Sequence, residues 1–260
     1  MELLEIRELN VDFFGDNICY DKKNDGDKAL LFIHGNNSSK KFWRHQVERL
    51  WLDNYKILSI DLLGYGNSDK PEFPYSFRLW AEIIERLRII EGVDQLVLVG
   101  HSNGALVARE YYRRYPQKVE KMVMLEGYLN NIIPEDKMQW MQDATCREDY
   151  QDFMETMIRQ TPMNNLSAED REIIIQDTIN TPAHVNYLLL DAMQEPELWQ
   201  TDPIEVPVLM INVQPSKIDG YEQFLSGFIP QLNYLEWDNC GHMLPLERPQ
   251  QVTDTILNFI

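Results

Sequence analysis

Short, unbroken apolar runs recur along this chain, with amphipathic helical patterns between them. Residues 29–33 (ALLFI), 56–60 (KILSI), 95–99 (QLVLV), 121–125 (KMVML) and 208–213 (VLMINV) are of this kind, and 234–237 (YLEW) is a shorter candidate. A half-exposed strand alternates apolar and polar residues. An unbroken run instead predicts a strand buried on both faces, as in a parallel sheet. Phe77, Trp80, Ile83, Ile84, Leu87 and Ile90 recur at three- and four-residue spacing and predict one helix face. Residues 105–115, closed by Pro116, predict a second helix. Pro249 opens a third, with Val252, Ile256, Leu257 and Ile260 behind it. The opening stretch to about residue 20 alternates as an antiparallel hairpin does. Strand-helix alternation implies right-handed crossovers and a sheet covered on both faces, an α/β architecture.

Residues 127–203 break the rhythm. Strand-like runs vanish, and several amphipathic helices are separated by turns at Pro134, Pro162, Pro182 and Pro203. Six of the eleven Met fall here. A helical block inserted between two sheet strands is expected to form a lid over the strand ends. The division expected is a core of residues 1–126 and 204–260, with 127–203 as lid.

The chain has 260 residues, with 42 acidic and 24 basic side chains and a formal charge of −18. Phosphate recognition needs a basic face, so a nucleic-acid binder is disfavoured. Docking on anionic membrane is disfavoured equally. Cys19, Cys146 and Cys240 are widely spaced and odd in number, which argues against a disulfide framework and for a reducing compartment. The N-terminus lacks the basic and apolar regions of a secretory signal. The expectation is a cytoplasmic protein acting on a small molecule.

The segment Val97-Leu-Val-Gly100-His-Ser102-Asn-Gly104-Ala-Leu is a strand, then G-x-S-x-G, then a helix. A Ser on a sharp strand-to-helix turn projects its hydroxyl out of the fold. The turn crowds its neighbours, so small residues must stand two before and two after. The helix beneath adds backbone N–H groups and a partial positive charge, which stabilise a developing oxyanion.

On this segment the chain resembles the α/β-hydrolase superfamily, in particular its lidded, esterase-like members. Phe32-Ile-His34-Gly35-Asn36 resembles the family's HG loop, and Asp61-Leu-Leu-Gly64-Tyr-Gly66-Asn-Ser68 its D-x-x-G-x-G-x-S turn. Cys240-Gly241-His242 resembles the late G-H. The resemblance implies a mostly parallel, eight-stranded twisted sheet with helices on both faces. It places the nucleophile at Ser102 and the oxyanion-hole N–H groups at Asn36 and Asn103. It implies neither metal nor organic cofactor.

A Ser hydroxyl is a poor nucleophile at neutral pH and needs a base. Of five His, His242 is the best candidate: it follows a strand, sits on a Gly-containing loop and precedes the last helix, in the order Ser, acid, His. His34 and His101 read as structural neighbours of the motif, and His45 and His184 as surface or lid residues. Asp61 reads as structural and Asp69 as a solvated loop residue.

The acid is less plain. Most relatives carry it after the strand at 208–213, in a G-x-x-D pattern, but the matching position here is Ser216. Asp219, three residues on, is one alternative and could equally be a helix cap. Some members, including haloalkane dehalogenases, place the acid one strand earlier, where this chain has Glu126. Glu126 is favoured and Asp219 stays open.

The leading expectation is a serine hydrolase cleaving an ester or related acyl bond through an acyl-enzyme. Relatives also cleave lactones, amides and C–C bonds. Hydroxynitrile lyases share the fold and the Ser/His pair, and some hormone receptors use the fold without catalysis. Dehalogenation is disfavoured because it uses an Asp nucleophile. Trp140 and Met141, with Met138, Met154 and Met157, are candidates for an apolar substrate pocket, with helix-to-core packing as the alternative. Residues 127–203 hold 15 acidic and 4 basic side chains, net −11 of the total −18. Such a field over the entrance would disfavour anionic substrates.

Overall fold

The computed structural model describes residues 5–161, 163, 165–214 and 217–260. Eight strands form one sheet: β1 (Arg7–Phe13), β2 (Asp16–Lys23), β3 (Lys28–Ile33), β4 (Tyr55–Ile60), β5 (Gln95–His101), β6 (Val119–Leu125), β7 (Val208–Val213) and β8 (Leu232–Trp237). Their order is β1-β2-β4-β3-β5-β6-β7-β8. The β1–β2 hairpin and the β2–β4 pair are antiparallel, and all pairs from β4 to β8 are parallel. The apolar runs are the parallel strands.

Strands β3 to β7 each feed two cores. Along β5, Leu96 and Leu98 join the core on one face, while Val97 and Val99 join the other. The first core takes in α2 (Phe77–Ile90) and α3 (Asn103–Arg114). Its α2 face is the one predicted: Phe77, Trp80, Ile83, Ile84 and Leu87 are buried, though Ile90 is 47% exposed. The second core is closed by α1 (Arg44–Arg49) and α10 (Pro249–Phe259) through Val47, Val252 and Ile256. Ser76 caps α2 by accepting the Leu79 N–H at 3.0 Å.

Between β6 and β7 the chain inserts α4 (Glu135–Thr145), α5 (Tyr150–Gln160), α6 (Ala168–Asn180) and α7 (Ala183–Ala192). Two short helices, α8 (Tyr221–Ser226) and α9 (Leu244–Glu247), follow β7 and β8. Ligands of open α/β sheets bind outside the carboxyl ends of the strands. At those ends stand His34–Ser39 after β3, Ser102 after β5, Glu126 after β6 and His242 after β8. Among the described residues no helix is long and apolar enough to cross a membrane.

Candidate active site

Ser102 joins β5 to α3 at φ 53° and ψ −122°, a conformation that side chains rarely adopt. Holding it costs about 1–3 kcal/mol. The turn is clamped from both sides: the Ser102 N–H donates to the Leu125 carbonyl at 2.9 Å, and the Ser102 carbonyl accepts from Ala105 N–H at 3.0 Å. A Cβ at Gly100 would lie 2.4 Å from the Gly104 carbonyl oxygen, and one at Gly104 2.3 Å from that of Ile33. Neither position admits a side chain, which is the physical content of the G-x-S-x-G spacing. Asn103 is the first residue of α3, so its N–H has no acceptor within the helix.

Glu126 leaves β6 at φ 51° and is buried. Its Oε1 accepts the Val213 N–H from β7 at 2.6 Å, and its Oε2 lies 3.1 Å from His242 Nδ1. A carboxylate oxygen accepts, so Nδ1 of His242 carries the proton and donates. The Nε2 lone pair is thereby left free. His242 is 45% exposed on its side chain, against 0% for Glu126, so the acid is sequestered and the imidazole faces outward.

The neighbouring imidazoles are held neutral. Burial, and then the nearby His242, push His101 well below its ordinary range. Its Nε2 donates to the His242 carbonyl at 2.7 Å, which fixes the loop that carries His242. Its ring stacks on Phe42, with centroids 4.5 Å apart. Burial also lowers His34, whose Nε2 accepts the Leu62 N–H at 3.1 Å while Nδ1 donates to the Gly35 carbonyl at 2.7 Å. Asp61, buried, accepts the N–H groups of Lys40 and Asn67 at 2.6 and 2.9 Å and thereby ties the two loops together. Asp69 is exposed, yet it accepts the Asn17 N–H at 2.7 Å and anchors its loop to the hairpin.

Ser102 and His242 line one cavity of about 250 Å³. Phe42, Met243 and the inserted residues Met154, Met157, Ile158 and Ile174 make it largely apolar. Ser102 and Glu126 also line a smaller hollow of about 140 Å³, with Leu106, Ile132, Ile133, Met193 and Trp199. Ser102 therefore stands between two spaces.

Glu126 and His242 are brought together, and Ser102 shares a cavity with His242. Asp219 lies on an exposed turn ahead of α8, and no hydrogen bond or ion pair joins it to His242 among the described residues. Ser216 lies outside the described residues. Asn36 lines the main cavity in the loop after β3. Trp140 and Met141 line an adjoining hollow of about 200 Å³, which meets the main cavity at Asn36, Asn37, Met154 and Met157. Met138 is packed in the core. His45 is a tether rather than a free surface group: its Nε2 meets Asp170 of α6 at 2.9 Å, and Arg44 pairs with Glu169 and Asp170 beside it. His184 meets the Lys70 carbonyl at 3.2 Å.

Sequence reasoning missed Phe42, Ile174 and Thr178 in the cavity wall, and it missed Asn186. Asn186 is buried on the face of α7 that also carries Val185, Leu189 and Leu190. It accepts from Asn36 Nδ2 at 2.9 Å and donates to Asn37 Oδ1 at 2.7 Å. A lone carboxamide on an apolar helix face must find partners, and that was the available signal.

A family model described as alpha/beta hydrolase fold matches residues 28–167. An uncharacterized hydrolase of Bacillus subtilis, YugF, is 28% identical over 276 aligned positions, covering 98% of this chain and 97% of its own. The uncharacterized mycobacterial proteins that the chain also matches are longer, and the match spans 29% of their length. Among solved structures, an epoxide hydrolase from Vigna radiata superposes with a TM-score of 0.80 at 20% identity over 98% of both chains. An enzyme named for degrading N-acyl homoserine lactones superposes with a TM-score of 0.77 at 23% identity, over 97% of this chain and 100% of its own.

Proposed function

Because this chain belongs to the alpha/beta hydrolase fold family, we propose that it hydrolyses a small, neutral ester or related acyl compound through Ser102, His242 and Glu126. One observation carries the reading: the buried Glu126 fixes a half-exposed His242 through Nδ1, and Nε2 of that imidazole serves the cavity that Ser102 also lines. Nε2 takes the Ser102 proton as Oγ attacks the carbonyl carbon. Negative charge gathers on the carbonyl oxygen and is met by the backbone N–H groups of Asn103 and Asn36. The tetrahedral adduct collapses to an acyl-enzyme as His242 returns the proton to the departing alcohol. Water, deprotonated by His242, then releases the acid and restores Ser102.

The Vigna radiata epoxide hydrolase on which the chain superposes poses the alternative of ring opening. Attack of Ser102 Oγ on an epoxide carbon would form a C–O–C ether. Such a bond has no carbonyl for water to attack and would leave the enzyme alkylated. An acyl-enzyme has that carbonyl. Acyl transfer therefore suits a Ser nucleophile, and epoxide opening does not. The cavity, about 250 Å³, lies below the roughly 300–1,000 Å³ of sites for drug-sized ligands, which favours a short acyl chain. The helices α4–α7 act in this reading as a lid whose Met154 and Met157 form the pocket roof.

A series of nitrophenyl esters of rising acyl length tests the reading. Turnover is expected to peak at short to medium neutral chains and to fall to background in Ser102→Ala. Turnover that survives Ser102→Ala would overturn it.

A further inference from the structure

The side chain of Asn36, as well as its backbone, is engaged. Its Oδ1 accepts from the Tyr65 hydroxyl at 3.0 Å and from its neighbour Asn37 N–H at 2.9 Å, while its Nδ2 donates to Asn186 Oδ1 at 2.9 Å. Asn186 returns the contact by donating from Nδ2 to Asn37 Oδ1 at 2.7 Å. Two consecutive carboxamides of the loop after β3 are thus gripped by one carboxamide of α7, about 150 residues away in sequence. Asn37 is held at φ 50°, a left-handed conformation that Asn tolerates better than most side chains, and its carboxamide is held by Asn186.

We propose that Asn186 is a positioning residue that aims the Asn36 N–H at the oxyanion, so that the oxyanion hole is complete only while α7 is docked on the loop. The proposal rests on the acyl-transfer reading above. Asn186 and Asn37 touch no reacting atom in it. They set the angle of a donor whose value depends on geometry: misplacement by about 1 Å can cost on the order of 10²-fold in rate. The arrangement also makes the lid more than a roof. Lifting α7 breaks both of its bonds at once: it releases the Asn37 carboxamide and leaves Asn36 held only through Oδ1, by Tyr65 and the Asn37 N–H. Hydrolytic competence is then tied to closure over the substrate.

Two variants separate this from a plain folding role. Asn186→Leu keeps the branched side-chain shape and removes both bonds. Asn37→Gly removes one and suits the positive φ, so it stands in should the first not fold. For each, kcat and KM on a short nitrophenyl ester are measured beside the inhibition constant of an alkyl boronic acid. The boronate adds Ser102 Oγ to boron and presents a tetrahedral, negatively charged group to the same N–H donors. The expected result is a fall in kcat of about 10- to 100-fold with KM little changed. Boronate affinity should weaken in step with kcat/KM, and the affinity for the product carboxylic acid should hold. Unchanged kcat and boronate affinity in the folded variants, beside an active wild type, overturns the positioning role and leaves the acyl-transfer reading intact. A wild type that neither turns over esters nor binds the boronate overturns both.

Discussion

Glu126 carries two geometric tasks in one carboxylate. Oε1 accepts the Val213 N–H, and Oε2 lies 3.1 Å from His242 Nδ1. An acid so placed fixes the imidazole tautomer and stabilises the imidazolium without itself taking the proton. Glu126→Gln should therefore lower ester turnover by on the order of 10⁴. Asp219→Asn, on an exposed turn, should leave it near wild type. Parallel kinetics of the two variants decide, and loss in Asp219→Asn alone would contradict the assignment. That Ser102 and His242 stand at one cavity was legible in the sequence because their signals are local: an elbow must have Gly on both sides, and a strand, a G-H pair and a helix follow one another along the chain. Glu126 was half legible, since its position after a strand is local but its partner is 116 residues away. Asn186 and Phe42 were not read out, because what each touches is settled only by packing.

The inserted helices are fastened to the core by polar contacts as well as by apolar ones. Alongside the Asn186 grip, the Ser39 hydroxyl donates to Asp177 Oδ2 of α6 at 2.6 Å, and Arg44 and His45 hold Asp170. Burial pushes the Asp177 carboxyl up to about 6, and nearby Asp61 adds to it, against Ser39, Lys40 and Lys41. The folded chain thus holds this proton more tightly than the unfolded one. The stabilisation is complete below the ordinary value of 3.8 and is lost as pH rises through about 6. Asp177→Asn, which stays neutral, should gain on wild type as pH rises across that window and level off above it. At about 1.4 kcal/mol per pKa unit the gain reaches up to about 3 kcal/mol. Urea denaturation of both proteins from pH 4 to 8 measures it, and a difference that stays flat or shrinks with rising pH would contradict the account. The strands and main helices were legible because burial on both faces leaves unbroken apolar runs and burial on one leaves a 3.6-residue stripe. How α4–α7 lie over the strand ends was not, because amphipathic helices state that they pack but not against what. Trp140 and Met141 show the cost: the apolar spacing is real, yet it faces the adjoining hollow.

Across the whole molecule, charge and site are kept apart. Residues 127–203 carry most of the −18, but the described residues lining the cavity are neutral or histidine. Several of those acids are spent on Arg partners, as Glu155 on Arg159 and Asp202 on Arg113. The sheet brings four strand ends to one place, and each end contributes a part: a loop of N–H groups, a strained Ser, a buried acid and an oriented His. That convergence supports a nucleophile rather than a passive pocket, and it is tested by treating the full chain with a fluorophosphonate. Attack by Ser102 Oγ forms an O–P bond and expels fluoride. One adduct per chain is expected, mapped to Ser102 by peptide mass, absent in Ser102→Ala and strongly slowed in Glu126→Gln. No adduct on the folded wild type, or an adduct that maps to another residue, would contradict it.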